Sequence, residues 1–201
     1  MSIIAPKSGS KFEPVPSGNH VARLYRIIHI GTVTEAYQGE DKQSNKIMLS
    51  FELPNETKVF KEEKGEEPLV ISREYTLSMA PKANLRKFIE GMIGTALHDG
   101  EAESFDIAEL IGKPCMLNVV HKVSKATGNP YAMIAGAAPI PKGLIVPVQK
   151  NASRVLDYVN WNQELFDSLS EFHKEKIRSS EEYKKKFAPV GDGIDSIDVG
   201  F

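Results

Sequence analysis

HVARLYRIIHIGTVTEA, residues 20–36, is the stretch on which the fold turns. Its density of β-branched and aromatic side chains suits a pleated, half-buried surface. Gly31 falls where a bulge or bend lets one long strand curve. The segment predicts a long, curved first strand.

Upstream, the chain to Gly18 is rich in Pro, Ser and Gly, and Pro14 and Pro16 bracket Val15, which favours an extended lead-in. Downstream, GEDKQSN supplies turn chemistry before KIMLSFEL, Lys46 to Leu53, where Ile47, Leu49, Phe51 and Leu53 alternate as in a half-buried second strand. KVFKEEKGEEP, Lys58 to Pro68, crowds charges around Gly65 and predicts a solvated loop or an exposed hairpin. LVISREYTLSM, Leu69 to Met79, predicts a third strand with Ile71, Arg73, Tyr75 and Leu77 on one side.

Beyond Pro81 the period changes. Leu85, Phe88, Ile89 and Met92 recur at helical spacing before Gly94 stops the run, and a short helical turn is expected at Phe105 to Ile111 with Asp106 at its start. CMLNVVHKV, Cys115 to Val123, and YAMIAGAAPI, Tyr131 to Ile140, predict two strands joined by the turn sequence SKATGNP. Three strands, a helix and two strands match the order of the OB-fold, a five-stranded barrel with a helix between its third and fourth strands.

Four regions follow: an extended segment over 1–18, a mainly β domain with α over 19–140, a linker and helical arm over 141–187, and a tail over 188–201. Pro141 and Pro147 break the linker. In the arm, a helix is expected from Asn160 with Trp161, Leu165, Leu169 and Phe172 along one face, and a fresh start at Ser179, which has capping-box spacing to Glu182. That apolar face either packs on the chain's own domain or meets a second copy as a homodimer. The tail, low in bulky hydrophobics and rich in Gly and Asp, is expected to be disordered.

Net charge is -2, and Asp192, Asp195 and Asp198 lie in a terminus without Lys or Arg, so the rest of the chain sums to +1. Cys115 is the only cysteine, which rules out an internal disulfide and fits a reducing, cytoplasmic setting. No window approaches the roughly 20 apolar residues of a membrane helix, and the N-terminus lacks a signal-peptide pattern.

The five histidines are scattered and show no helical metal-pair spacing, and no Walker loop, nucleophile elbow or Rossmann fingerprint is present. The expectation is a non-enzymatic protein with no cofactor and no metal; a nuclease using dispersed carboxylates is the catalytic alternative. Single-stranded nucleic acid is held by cations that track phosphates and by rings on which bases stack. Both occur on the expected strands: Arg23, Tyr25 and Arg26 on the first, Lys58 and Phe60 on the charged loop, Arg73 and Tyr75 on one face of the third, and His121, Lys122, Lys125 and Tyr131 at the last hairpin. The aromatics of alternating strands are equally candidates for core.

The strand order from His20 to Ile140, followed by an Asp-bearing tail closing on Phe201, resembles single-stranded-DNA-binding proteins, in the overall form encoded by bacteriophages. The resemblance implies sequence-independent protection of transient single strands in DNA replication, recombination and repair. It also implies recruitment of replication or recombination proteins through Asp192, Asp195, Asp198 and Phe201. An OB-fold adaptor that binds a protein partner instead of DNA is the non-catalytic alternative.

Overall fold

The computed structural model describes residues 13–37 and 39–188. The tail positions Asp192, Asp195, Asp198 and Phe201 lie outside the described residues. The first strand, β1 (Gly18–Tyr37), is long and bends as expected, with register shifts between Leu24 and Arg26 and between His29 and Gly31. Gly31 has φ of +95°, and a Cβ there would lie 2.8 Å from the Cβ of Ser180, so only glycine fits at the bend.

The second strand, β2 (Glu40–Val59), starts earlier than expected. GEDKQSN is mostly ladder, not turn: Glu40 to Lys46 pair with Tyr37 to Gly31 across a hairpin. The β-branched partners Thr32, Val33 and Thr34 supply a template that overrides the local turn preference. The charged stretch forms the exposed tip of the hairpin to β3 (Glu66–Thr76), with a short 3₁₀ turn at Glu62–Lys64.

A helix, α1 (Asn84–Ile93), follows β3 and inserts Leu85, Phe88, Ile89 and Met92 into the main core beside Phe51, Leu49 and Leu117. Gly91 lets it approach Ala137 closely, because a Cβ there would sit 2.6 Å from that residue's carbonyl oxygen. A one-turn helix, α2 (Asp99–Glu103), was not legible in the sequence. The turn at Ile107–Leu110 is capped by Asp106 as anticipated, its carboxylate accepting from the Ala108 amide at 2.9 Å.

The last hairpin comprises β4 (Pro114–Val123) and β5 (Pro130–Ala138). Strand order is β3-β2-β1-β4-β5, all antiparallel. A short strand inside the expected linker, β6 (Arg154–Leu156), pairs in parallel with Arg26–Ile28 of β1. It takes up the edge of β1 that β4 leaves at Arg23. The sheet is open: its edge strands β3 and β5 share no ladder and are linked by the Arg73 guanidinium donating to the Ile134 carbonyl. The fold is therefore mainly β with helices, and a closed ladder is not observed.

The arm is three short helices, α3 (Gln163–Asp167), α4 (Glu171–Ser179) and α5 (Glu181–Lys186). Asn162, Ser170 and Ser180 accept from first-turn amides, so the helix expected from Asn160 begins at Gln163 and is divided at Ser170. The last break is capped by Ser180, not Ser179, and Glu182 reaches across to the backbone amide and hydroxyl of Thr32 at 2.6 and 2.8 Å. Leu165, Phe166, Leu169 and Ile177 form a second core with Ile28, Ile30, Val33 and Met48 on the outer side of β1 and β2. Of the apolar stripe considered for a homodimer, Leu165 and Leu169 are buried within the chain, Trp161 is partly buried against the same core, and Phe172 stays exposed. Among the described residues no helix is long and apolar enough to cross a membrane.

Candidate nucleic-acid interface

Alternation on β4 turns Cys115, Leu117 and Val119 into the core and leaves Met116, Asn118, Val120 and Lys122 on the outer face. The register then fixes their neighbours. Lys122 stands opposite Tyr131, Val120 opposite Met133, Asn118 opposite Gly136, and Asn19 of β1 lies on the other side of Asn118. Directly opposed residues share a face, so a cation and an aromatic ring sit side by side at the hairpin tip. Tyr131 is 44% exposed there. A groove of about 720 Å³ runs over the tip past Lys122, Lys125 and Tyr131. A second hollow, of about 430 Å³, continues on the same sheet face past Asn19, Asn118 and Gly136. The Asn118 amide donates to Asn19 at 2.9 Å.

Gly136 sits mid-strand, where glycine lacks the packing side chain a strand favours. A Cβ built on it meets nothing within 4 Å. The space above it is open, and the ladder shifts register beside it, between Asn118 and Val119.

Electrostatics sharpen the picture. Between Glu109 and Asp157 the sequence holds no carboxylate, yet it carries Lys113, Lys122, Lys125, Lys142, Lys150 and Arg154. With a whole-chain charge of -2, that stretch stands at +6 and everything else at -8. The whole-chain sum hides this segregation, and a running charge count is the signal that finds it. Asn19, Asn118 and Gly136 carry no such signal, because only the register brings them together.

The other expected contacts are dispersed. Lys58 and Phe60 lie on the β2–β3 tip, which projects from the same end of the sheet as the β4–β5 tip, since both strands run past the level of Gly18. Phe60 is exposed, but Lys58 pairs with Glu13 at 3.5 Å. Around it, Glu62, Glu63, Glu66 and Glu67 outnumber Lys58, Lys61 and Lys64. His121 is exposed, and its Nε2 donates to the Val15 carbonyl at 2.8 Å, holding the lead-in segment against β4.

On β1, Arg23 donates to the carbonyls of Pro147 and Gly112 at 2.8 and 2.9 Å and pins the linker to the sheet. Beside it the buried Glu52 accepts from the Lys150 and Asn151 amides at 2.8 and 2.7 Å. Tyr25 is buried, and Arg26 lies near its ring and donates to Ser50 at 3.4 Å. Tyr75 is a correction: it is 4% exposed, packed on Phe88 in the core, and offers no free ring face to a base. Arg73 is half-buried and stacked over the Tyr75 ring, 4.9 Å from its centroid. Arg23, Tyr25, Arg26, Arg73 and Tyr75 therefore stand in packing or internal bonding.

Among the described residues, no three His, Cys, Asp or Glu side chains converge as a metal site. Burial pushes the Cys115 thiol up to about 12, so it remains a protonated core residue. No known family model matches the chain, and no curated protein sequence is significantly similar to it.

Proposed function

We propose that this chain binds single-stranded DNA without sequence preference, across the outer face of β4 and β5 and over the tip of their hairpin. The observation that carries the reading is the exposed Lys122–Tyr131 pair within a stretch free of carboxylates. Tyr131 offers a ring for base stacking, worth about 1 to 3 kcal/mol per base. Lys122 and Lys125 follow the phosphates, Asn19 and Asn118 supply hydrogen-bonding amides, and Gly136 leaves room for a strand to lie close to the sheet.

The strand order β3-β2-β1-β4-β5 with α1 between β3 and β4 supports an OB-type barrel of the kind seen in bacteriophage single-stranded-DNA-binding proteins, with the β3–β5 seam bridged by Arg73. In this reading Asp192, Asp195, Asp198 and Phe201 recruit replication or recombination proteins, and the protein guards transient single strands in replication, recombination or repair.

Titration of fluorescent oligo-dT tests the proposal. Affinity is expected to fall with salt, with a log–log slope of about -0.7 for each phosphate neutralised. No salt-sensitive binding at micromolar protein would sink it, and capture of a protein partner by a chain that ignores DNA would favour the adaptor reading.

A further inference from the structure

The hollow beside the hairpin tip, about 430 Å³ in volume, has an uneven lining. Met116, Pro139 and Pro141 give it apolar walls. Among the described residues that line it, only Asn19 and Asn118 carry polar side chains. Gly136, opposite Asn118, adds no side chain, and the space above it is open. A small apolar hollow with a few converging polar groups is the usual form of a ligand pocket.

The amide pair is only partly used. The Asn118 amide nitrogen donates to the Asn19 carbonyl oxygen at 2.9 Å, and neither side chain makes another hydrogen bond among the described residues. The Asn19 amide nitrogen and the Asn118 carbonyl oxygen are left available. Turning both amides over exchanges these roles and again leaves one donor and one acceptor. Asn19 and Asn118 are directly opposed on neighbouring strands, so the two available groups stand side by side in the lining of the hollow.

A neighbouring donor and acceptor is the pattern that every nucleobase carries on its Watson–Crick edge. Thymine offers N3–H beside O4, cytosine N4–H beside N3, adenine N6–H beside N1, and guanine N1–H beside O6. In a duplex the opposite base occupies that edge, and in a single strand a protein can read it. The rise along β4 from Asn118 to Lys122 is about 13 Å, which brings the hollow within reach of a strand stacked on Tyr131.

We infer, resting on the single-strand reading of the β4–β5 face, that the Asn19–Asn118 pair grips the Watson–Crick edge of an unpaired base lodged against Met116 and the two prolines. Lys122 and Lys125 meet phosphates that a duplex also carries. The amide pair is the contact that rejects a duplex, and it does so without choosing among the four bases.

Fluorescence titrations of the full chain with oligo-dT and with a strand of equal length built from N3-methylthymidine test the contact. The methyl group removes the N3 donor and blocks the edge, while the phosphates and the ring remain. The unmodified protein is expected to bind the methylated strand about fivefold more weakly, the worth of one hydrogen bond. Replacing Asn19 and Asn118 together with Ala alters two exposed positions, so the melting curve should be unchanged. That protein should lose the same factor on oligo-dT and bind the two strands equally. Equal binding of both strands by the unmodified protein, or an undiminished methylation penalty in the doubly substituted one, overturns the base-edge contact. Salt-sensitive oligo-dT binding in the same titrations leaves the β4–β5 reading standing in that case. No binding of oligo-dT at all overturns that reading and the base-edge contact with it.

Discussion

The two outer faces of one sheet differ sharply. Over β1 and β2, Ile28, Ile30, Val33 and Met48 point outward and are covered by Leu165, Phe166, Leu169 and Ile177. Over β4 and β5, the outward positions are Asn118, Val120, Lys122, Tyr131, Met133 and Gly136, with no helix among the described residues laid across them. Each face has the composition its environment requires: burying a large aliphatic side chain is worth about 1.5 to 3 kcal/mol, so an apolar outer face recruits a cover. A face that interleaves Val120, Tyr131 and Met133 with Asn118, Lys122 and Gly136 gains less from one.

Charge follows the same division. The covered face is knitted by compensated ions: Lys176 meets Glu35 and Glu74 at 2.6 Å each, and Lys46 meets Glu35. The open hairpin holds Lys122 and Lys125 without a carboxylate partner among the described residues.

The contrast can be broken most severely from the open side. Replacing Lys122, Lys125 and Tyr131 together with Ala should cost about 3 kcal/mol of oligo-dT binding, roughly a hundredfold, while thermal stability stays within about 0.5 kcal/mol. An equilibrium titration paired with a melting curve checks both halves. From the covered side, Gly31→Val drives a branched side chain into Ser180 at a backbone conformation it rarely adopts. About 2 to 3 kcal/mol of stability should be lost, with altered fluorescence of Trp161, which packs among Tyr158, Phe166, Tyr183 and Phe187. DNA affinity should be unaffected.

A finer probe is Gly136→Val. The added atoms meet open space and valine favours strands, so stability should hold or rise slightly. Oligo-dT affinity should nevertheless fall about tenfold, because the new side chain stands where the strand would pass.

Acid supplies the smallest effect. Burial, opposed by Glu74, holds His173 below its usual 6.5. Its neutral form supports the folded arm above that value, and the support is lost as pH falls through the lowered folded value. Lys176 and Lys46 hold the Glu35 carboxyl below its usual 4.5. Glu182 is lowered too: burial works against its ionisation, but the Thr32 amide and hydroxyl and the nearby His29 outweigh it. These carboxylates contribute above 4.5 and lose their contribution as pH falls below it. All three groups act in the same direction, so acidification should loosen the arm progressively, by less than about 1 kcal/mol before the carboxylates titrate. Trp161 fluorescence against pH records it.

What the sequence disclosed was whatever local pattern determines. The density of β-branched residues in β1, the helical period of α1 and the SKATGNP turn all appear in the expected places. What it concealed depends on partners. The length of β2 is imposed by β1, β6 forms on an edge that β4 vacates, and the stripe from Trp161 to Phe172 declares an apolar face without saying what covers it. Arg73 and Tyr75 share one strand face, as alternation predicts, yet that face is the core side, where a bond to the Ile134 carbonyl accommodates the arginine. The candidate surface was half legible: Lys122, Lys125 and Tyr131 stand out in the chain, whereas Asn19 and Gly136 join them only through the register.

Photocrosslinking of 5-bromodeoxyuridine-substituted single strands, with the adducts located by mass spectrometry, compares the two faces directly. The open-face reading predicts adducts at Tyr131 and at neighbours on its face such as Met133 and Met116. Adducts concentrated on the arm, at Trp161 or Phe172, with none on β4 or β5, would contradict it.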